Sequence, residues 1–338
     1  MWGGSLFFIA VSLGVYQNTL ERVSKTICYC SVLIVLICLF EALYRQSFPA
    51  FILSNFPIKL DGQFISMLTT DKTRDFTFRS QGVFSHPIVL GEVSAAMFPV
   101  ALNTFFNMRN NRIISLIAVI SCIIAAILSG SRSAQIALIC SVIFYIFLII
   151  ISSRSRVVWA TSMILLPIIL LVVFYAYNSI SELAAGRSST EQQSSAMRDL
   201  MWERGWSAII SSPLIGHGGG NSAELGGIVA RYGGTYTIDD YYLSALLDAG
   251  IIGLTFFFLF ICSLVTGSLN GTASKRERRA RMGFLAGIFA ILVGQKAASI
   301  TEGMAFVYFY AGLLTASQSY KRNGPQISAR PTLPDRLP

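Results

Sequence analysis

The chain has 338 residues, 54% of them hydrophobic and 13% charged, with a formal net charge of +9. A soluble domain carries about twice that charge fraction, and repeated apolar runs of about 17–25 residues match the length of a bilayer crossing, so the composition excludes an ordinary soluble domain. The runs are continuous rather than alternating, which argues against a β-barrel, and the basic residues cluster in short loops between spans, a pattern of cytoplasmic anchoring rather than of nucleic-acid binding.

Taken in order, the chain predicts an all-α, polytopic transmembrane bundle of about nine spans. The first apolar stretch, Trp2 to Tyr16, is short and lacks the basic start and cleavage site of a signal peptide. It reads as the tail of a transmembrane helix and leads to the expectation of further helices upstream. The second span covers Thr26 to Tyr44. A polar segment of about forty residues follows and ends in Arg79-Ser-Gln-Gly82-Val-Phe84-Ser-His86-Pro87. Further spans are predicted over Ile88–Phe106, Ile113–Leu128, Ala134–Ile151, Val157–Tyr177, Tyr242–Gly267 and Gly283–Ile300, with a last one from a turn at Thr301-Glu-Gly303 to Ser317. Residues 1–320 form the membrane domain on this reading, and 321–338 a disordered cytoplasmic tail rich in Pro and Arg.

The alternation of these spans puts Arg22, Lys25, Arg109, Arg112, Arg154, Arg156, the run Lys275–Arg281 and the tail on one side. That side holds 15 of the 26 Lys and Arg residues and is expected to be cytoplasmic. The long polar loop 178–241, and the turns with Arg132 and Glu302, then face outward. The loop carries Arg187, Arg198, Arg204, Arg231 and seven acidic residues. Within it, Ser194 to Ser212 has helical character. Trp202, Trp206, Ile209 and Ile210 fall on one apolar face, Ser194 or Ser195 can cap the start, and Pro213 follows the end. Such a helix is expected to lie along the membrane interface.

Several residues in outward positions suit chemistry on an anion. Arg79, Arg132, Arg198 and Arg204 sit near span ends or on the interfacial helix. A guanidinium offers a planar fork of donors to phosphate oxygens and keeps its charge. The alternative for each arginine is snorkelling to lipid headgroups or pairing with a loop carboxylate. Asp239 and Asp240 precede the seventh predicted span. Adjacent carboxylates can raise one pKa and supply a general base, and they equally suit a helix N-cap; one residue could serve each role. Gly216-His-Gly-Gly-Gly220 lacks the context of a phosphate loop and reads as a turn, with His217 a turn residue. Glu41, Glu92, Asp248, Lys296 and Glu302 lie in or at the ends of spans, where ionisable groups are costly. A Lys296–Glu302 pair is the structural reading of the last two. The two histidines exclude a multi-histidine metal site, and the six cysteines lie in apolar spans without zinc or disulfide spacing. No metal and no cofactor are expected.

The ordered set Arg79-x-x-Gly82-x-Phe84-x-His86-Pro87, Ser129-Gly-Ser-Arg132-Ser, Arg198-x3-Trp202, Pro213-Leu-Ile-Gly216-x-Gly218 and Asp239-Asp-Tyr-Tyr-Leu243-x6-Gly250-Ile-Ile-Gly253 resembles the O-antigen ligase/polymerase superfamily over about residues 75–260. The resemblance implies glycosyl transfer on the outer face of the bacterial inner membrane, from a glycan on undecaprenyl diphosphate and without a metal. It implies Arg79, Arg132 and Arg198 as diphosphate contacts, with Arg204 a further candidate. Asp239 and Asp240 are the catalytic candidates, and His86 and His217 further candidates for substrate contact. Membrane lipid, a chain-length regulator and a flippase are the implied partners, with no nucleic acid. Ligases of the superfamily resemble one another in a His-Asn pair where this chain has Asp239-Asp240, which favours a repeat-unit polymerase making surface or exopolysaccharide. The competing readings are a ligase acting on lipid A core, an inactive relative, and a transporter using Glu92, Asp248 and Lys296.

Overall fold

A computed structural model of the chain describes residues 2–14, 18–56, 62–69, 73, 77–108, 111–152, 189–229, 236–270, 274–296 and 301–323. The elements are α1 (Trp2–Gly14), α2 (Thr19–Tyr44), α3 (Phe48–Asn55), α4 (Gly62–Thr69), α5 (Pro87–Asn107), α6 (Arg112–Leu128), α7 (Arg132–Ile151), α8 (Ser189–Ser211), α9 (Ser222–Gly226), β1 (Ile228–Val229), β2 (Tyr236–Thr237), α10 (Tyr241–Asn270), α11 (Lys275–Gly294) and α12 (Thr301–Asn323). Among the described residues the fold is all-helical apart from one antiparallel pairing of the two-residue strands β1 and β2.

Among the described residues, α2, α5, α7 and α10 are long and apolar enough to cross a membrane, and Ser5–Gly14 and α6 are shorter apolar helices. The predicted span 157–177 lies outside the described residues, as do Arg109, Arg154, Arg156, Arg187, Arg231 and the tail from residue 324. The predicted eighth span is corrected at both ends. The basic run is the first two turns of α11 rather than a loop: Ser274 caps it by accepting from the Glu277 amide, and Arg281 is buried, donating to the Glu277 carboxylate and to the Ser317 carbonyl. Two helices, α3 and α4, lie in the segment read as polar loop. Ser47 caps α3 and Pro49 occupies its first turn, a start signal present in the sequence.

The core is built around α5, which packs against α6, α7, α11 and α2. Its contact with α11 is close because Gly283 and Gly287 face it. A Cβ at Gly287 would stand 2.6 Å from the Ala96 carbonyl oxygen and 2.8 Å from the Tyr310 ring. Small residues at a four-residue spacing let apolar helices approach where no hydrophobic force separates lipid from side chain.

The helix α8 starts at Ser189, five residues before the predicted cap. Its predicted apolar face divides. Met201 and Ile209 turn inward onto Leu243 and Leu247 of α10, with Trp202 beside them, while Trp206 and Ile210 are exposed. The buried stripe is set by Gly205, where a Cβ would sit 3.1 Å from the Leu243 side chain, so that α10 approaches on the Met201–Gly205–Ile209 side.

The helix α10 breaks at Gly250 (φ 64°, ψ −170°). The break frees backbone groups on both sides, and the turn after α8 takes four of them. His217 N–H donates to the Leu247 carbonyl at 2.8 Å and Gly218 N–H to that of Asp248 at 3.0 Å. In return, Ile251 N–H donates to the Pro213 carbonyl at 2.9 Å and Ile252 N–H to that of Leu214 at 3.1 Å. A Cβ at Gly250 would collide with the Leu214 carbonyl, and this backbone region is open to glycine almost alone. Gly250→Ala is therefore expected to lower stability by about 1–3 kcal/mol from the backbone alone, whereas Gly219→Ala, with open space around the new methyl, is expected to stay within about 0.5 kcal/mol. Thermal unfolding of the two variants in detergent checks the difference; equal midpoints would contradict the interlock.

Candidate functional site

The polar groups converge at one end of the bundle, where α2, α6 and α11 finish and α5, α7, α10 and α12 begin. Glu41, buried near the end of α2, organises the first part. Its carboxylate accepts from the amides of Gln81 at 2.9 Å, Gly82 at 2.8 Å and Phe48 at 2.7 Å. A carboxylate that collects backbone donors in this way is held at low cost inside an apolar medium. The Gln81 and Gly82 bonds pin the Arg79–Pro87 segment against α2.

That segment delivers Arg79 to the α6–α7 turn. Ser80 N–H donates to the Leu128 carbonyl at 3.0 Å, and Arg79 Nε donates to the Ser129 carbonyl at 2.9 Å. The Arg79 side chain lies across Gly130, where a Cβ would be 3.0 Å from its Cγ. Arg132 is the first residue of α7, two positions beyond Gly130. The sequence-predicted arginines 79 and 132 thus share one turn although they come from separate segments. His86 is the N-cap of α5, its Nδ1 accepting from the Ile88 amide at 3.2 Å.

The start of α5 links this turn to the start of α10. Gly91 packs on Ser129 and Ala134. The next residue, Glu92, is fully buried and accepts from Gln295 Nε2 at 3.1 Å, in a space left by Gly294 and Gly303. The Gln295 carbonyl in turn accepts from the Tyr241 amide at 3.1 Å. Lys296, one residue on, donates to Asp240 and stands 4.6 Å over the Trp202 ring. The Lys296–Glu302 pair considered from the sequence is not the one formed; Glu302 faces the Ser85 amide at 3.5 Å.

The two adjacent aspartates have different surroundings. Asp240 is 2% exposed and fully engaged. Its Oδ1 accepts from the Tyr242 amide at 3.0 Å and the Leu243 amide at 3.2 Å, and its Oδ2 from the Trp202 indole at 2.9 Å and from Lys296. It is the cap of α10 and the post to which α8 is tied. Asp239 is open to solvent on one side. Desolvation by the surrounding protein pushes its carboxyl up from the ordinary aspartate value, and the Arg198 guanidinium opposes that rise. The Arg198 guanidinium is thus close enough to Asp239 to act on its charge.

Other predicted residues have local duties. Arg204 is exposed and donates to the Gly227 carbonyl at 3.1 Å. His217 Nε2 lies 2.8 Å from the Ala208 carbonyl oxygen and 3.3 Å from Ser211 Oγ, closing the turn after α8. Asp248 accepts from the amide and hydroxyl of Ser222 at the start of α9. Among the described residues there is no group of three or more His, Cys, Asp or Glu able to hold a metal ion. The sequence reading missed the Lys296–Asp240–Trp202 knot. Its members are up to 94 residues apart (296 − 202), and the only local signal was a lysine at the end of an apolar run.

Comparison with curated proteins and with solved structures finds no match. Residues 117–258 match the family model Wzy_C, described as O-antigen ligase. The matched segment includes the Ser129–Arg132 turn, α8, the Pro213–Gly218 turn, Asp239, Asp240 and the break at Gly250. Over that segment the chain is similar to the O-antigen ligase family, and its long apolar helices suit an integral membrane protein.

Proposed function

We propose that the chain polymerises oligosaccharide repeat units carried on undecaprenyl diphosphate, at the outer face of the bacterial inner membrane, into a surface or exopolysaccharide. The observation that carries this reading is the placing of Arg79 over Gly130 in the α6–α7 turn, two residues before Arg132 opens α7. The turn sits at the opposite end of the bundle from the basic cluster in which Glu21 pairs with Lys25 and Arg276, and Arg281 with Glu277. The basic end is cytoplasmic on the positive-inside rule, which leaves the arginine end outward, where topology alone does not call for positive charge. On this reading residues 1–320 carry about nine spans, with 178–241 extracytoplasmic.

The reaction is displacement at an anomeric carbon. An acceptor sugar hydroxyl forms the new C–O bond, the bond from that carbon to the diphosphate breaks, and the lipid diphosphate leaves with the electron pair. Arg79 and Arg132 bind the diphosphate, with Arg198 at its other flank, and stabilise the charge that grows on the leaving group. The starts of α5, α7, α10 and α12 add their positive dipole ends at the same side. Asp239 takes the proton of the attacking hydroxyl; Asp240 is already spent on two amides, an indole and an ammonium. A chain-length regulator and a flippase supplying the donor are partners of this activity. Aspartates in place of a His-Asn pair favour the polymerase over the ligase. The charges that would serve a transporter are engaged in structural contacts: Glu92 with Gln295, Asp248 with Ser222, Lys296 with Asp240.

Complementation of a deletion strain tests this. Wild type is expected to restore long-chain polymer and Arg132→Ala to leave only short glycan, with the variant inserted at normal level; polymer of unchanged length would contradict the reading. The pH profile tests Asp239. The base is active when ionised, and burial raises its pKa, so activity is expected to climb with pH along an acidic limb lying above the ordinary aspartate range. Asp239→Asn is expected to abolish that limb along with most of the rate. A variant that keeps wild-type rate and profile would remove Asp239 from the mechanism.

A further inference from the structure

The turn that follows α8 carries its apolar side chains on the outside. Ile215 is 72% exposed, Leu214 60% and Trp206, two turns back on α8, 56%. Ile210 is exposed beside them, and so are Ile251 and Ile252 on α10. These are one surface, because Ile251 and Ile252 donate their amides to Pro213 and Leu214 across the Gly250 break. A contiguous patch of this kind needs a cover.

The surface continues along α10 through Phe256, Phe258 and Leu259, all exposed, on a helix long and apolar enough to cross a membrane. The patch is thus an extension of a lipid-facing wall. The turn's backbone points the same way. The Ser212 carbonyl accepts from Gly216 N–H, the Pro213 and Leu214 carbonyls from Ile251 and Ile252 N–H, and the Gly216 carbonyl from Ser212 Oγ at 2.7 Å. The carbonyls at 212, 213, 214 and 216 therefore find partners within the protein. Such pairing lowers the cost of setting these four carbonyls beside lipid.

We infer that Leu214 and Ile215, with Trp206 and Ile210, form a wedge that enters the acyl region of the bilayer beside α10. Trp206 sits at the headgroup level, the depth that suits an amphipathic ring. Gly218, Gly219 and Gly220 then mark the return to water, and the wedge holds α8 at a constant height above the membrane. This inference rests on α10 as a membrane span and not on the polymerase reading.

Spin-label accessibility in phospholipid nanodiscs tests it. The full chain is used in a Cys30→Ala, Cys262→Ala background, since the other four cysteines are buried. Ile215→Cys and, as a second reporter in case one fails to fold, Leu214→Cys are compared with Gly219→Cys. Labels at 215 and 214 are expected to collide several-fold more with dissolved oxygen than with a water-soluble nickel chelate, and the label at 219 the reverse. A label at 215 or 214 that meets the nickel chelate as freely as the one at 219 would overturn the wedge. So would a label shielded from both reagents, since a protein-covered turn sees neither lipid nor water.

Discussion

A helix that breaks beside an apolar phase leaves amides and carbonyls that only the protein can satisfy. At Gly250 that requirement binds the segment outside the bundle to the bundle itself. Four backbone hydrogen bonds pass between the Pro213–Gly218 turn and α10, two in each direction. Because the exchange fixes the end of α8 and the start of α10 at once, it sets where Arg198 stands relative to Asp239. The Pro-Leu-Ile-Gly-x-Gly and Gly-Ile-Ile-Gly stretches are two halves of one joint, which gives a physical reason for their occurring together in one chain.

A second joint works from the other side. Asp240 accepts from Trp202 and Lys296 while capping α10, so the starts of α10 and the end of α11 meet the middle of α8 at one carboxylate. Glu92 and Gln295 extend this joint into the core, and Glu41 does the same work for the loop that carries Arg79. Three buried or nearly buried carboxylates therefore hold the parts in place, each by accepting hydrogen bonds, and none of them faces the outside where an anionic substrate would bind. The cations are arranged the other way. Arg79 and Arg132 lie half-buried at the α6–α7 turn, at the end of the bundle where several helices begin. The buried carboxylates thus serve the scaffold, while Asp239 stays open to solvent on one side.

Much of the bundle was legible because hydrophobic length is a strong signal. The spans predicted over Ile88–Phe106, Ile113–Leu128 and Ala134–Ile151 agree with α5, α6 and α7 to within two residues. The basic run 275–281 misled, because charge density suggests a loop whereas Ser274 and a buried Arg281 make it a helix start. The tryptophan face of α8 was visible as a period but not as a division between a core side and an exposed side, which depends on where Gly205 lets α10 approach. Arginines 79 and 132 were legible as types at span ends. Their placing at one turn was not, since it depends on Glu41 pinning a loop about forty residues away in sequence. For the two aspartates the sequence left cap and base open, and the hydrogen bonds of Asp240 assign it the cap.

The central claim is that Arg79 and Arg132 act together on a lipid diphosphate. The most direct test is binding of undecaprenyl diphosphate to the purified chain in nanodiscs, for wild type, each single alanine variant and the double variant. The account predicts that either single substitution weakens binding by about tenfold or more, the scale of a charge-assisted bond to phosphate, and that the two losses are not additive because both arginines hold one group. Affinity unchanged in the double variant, with the fold intact by thermal unfolding, would contradict it.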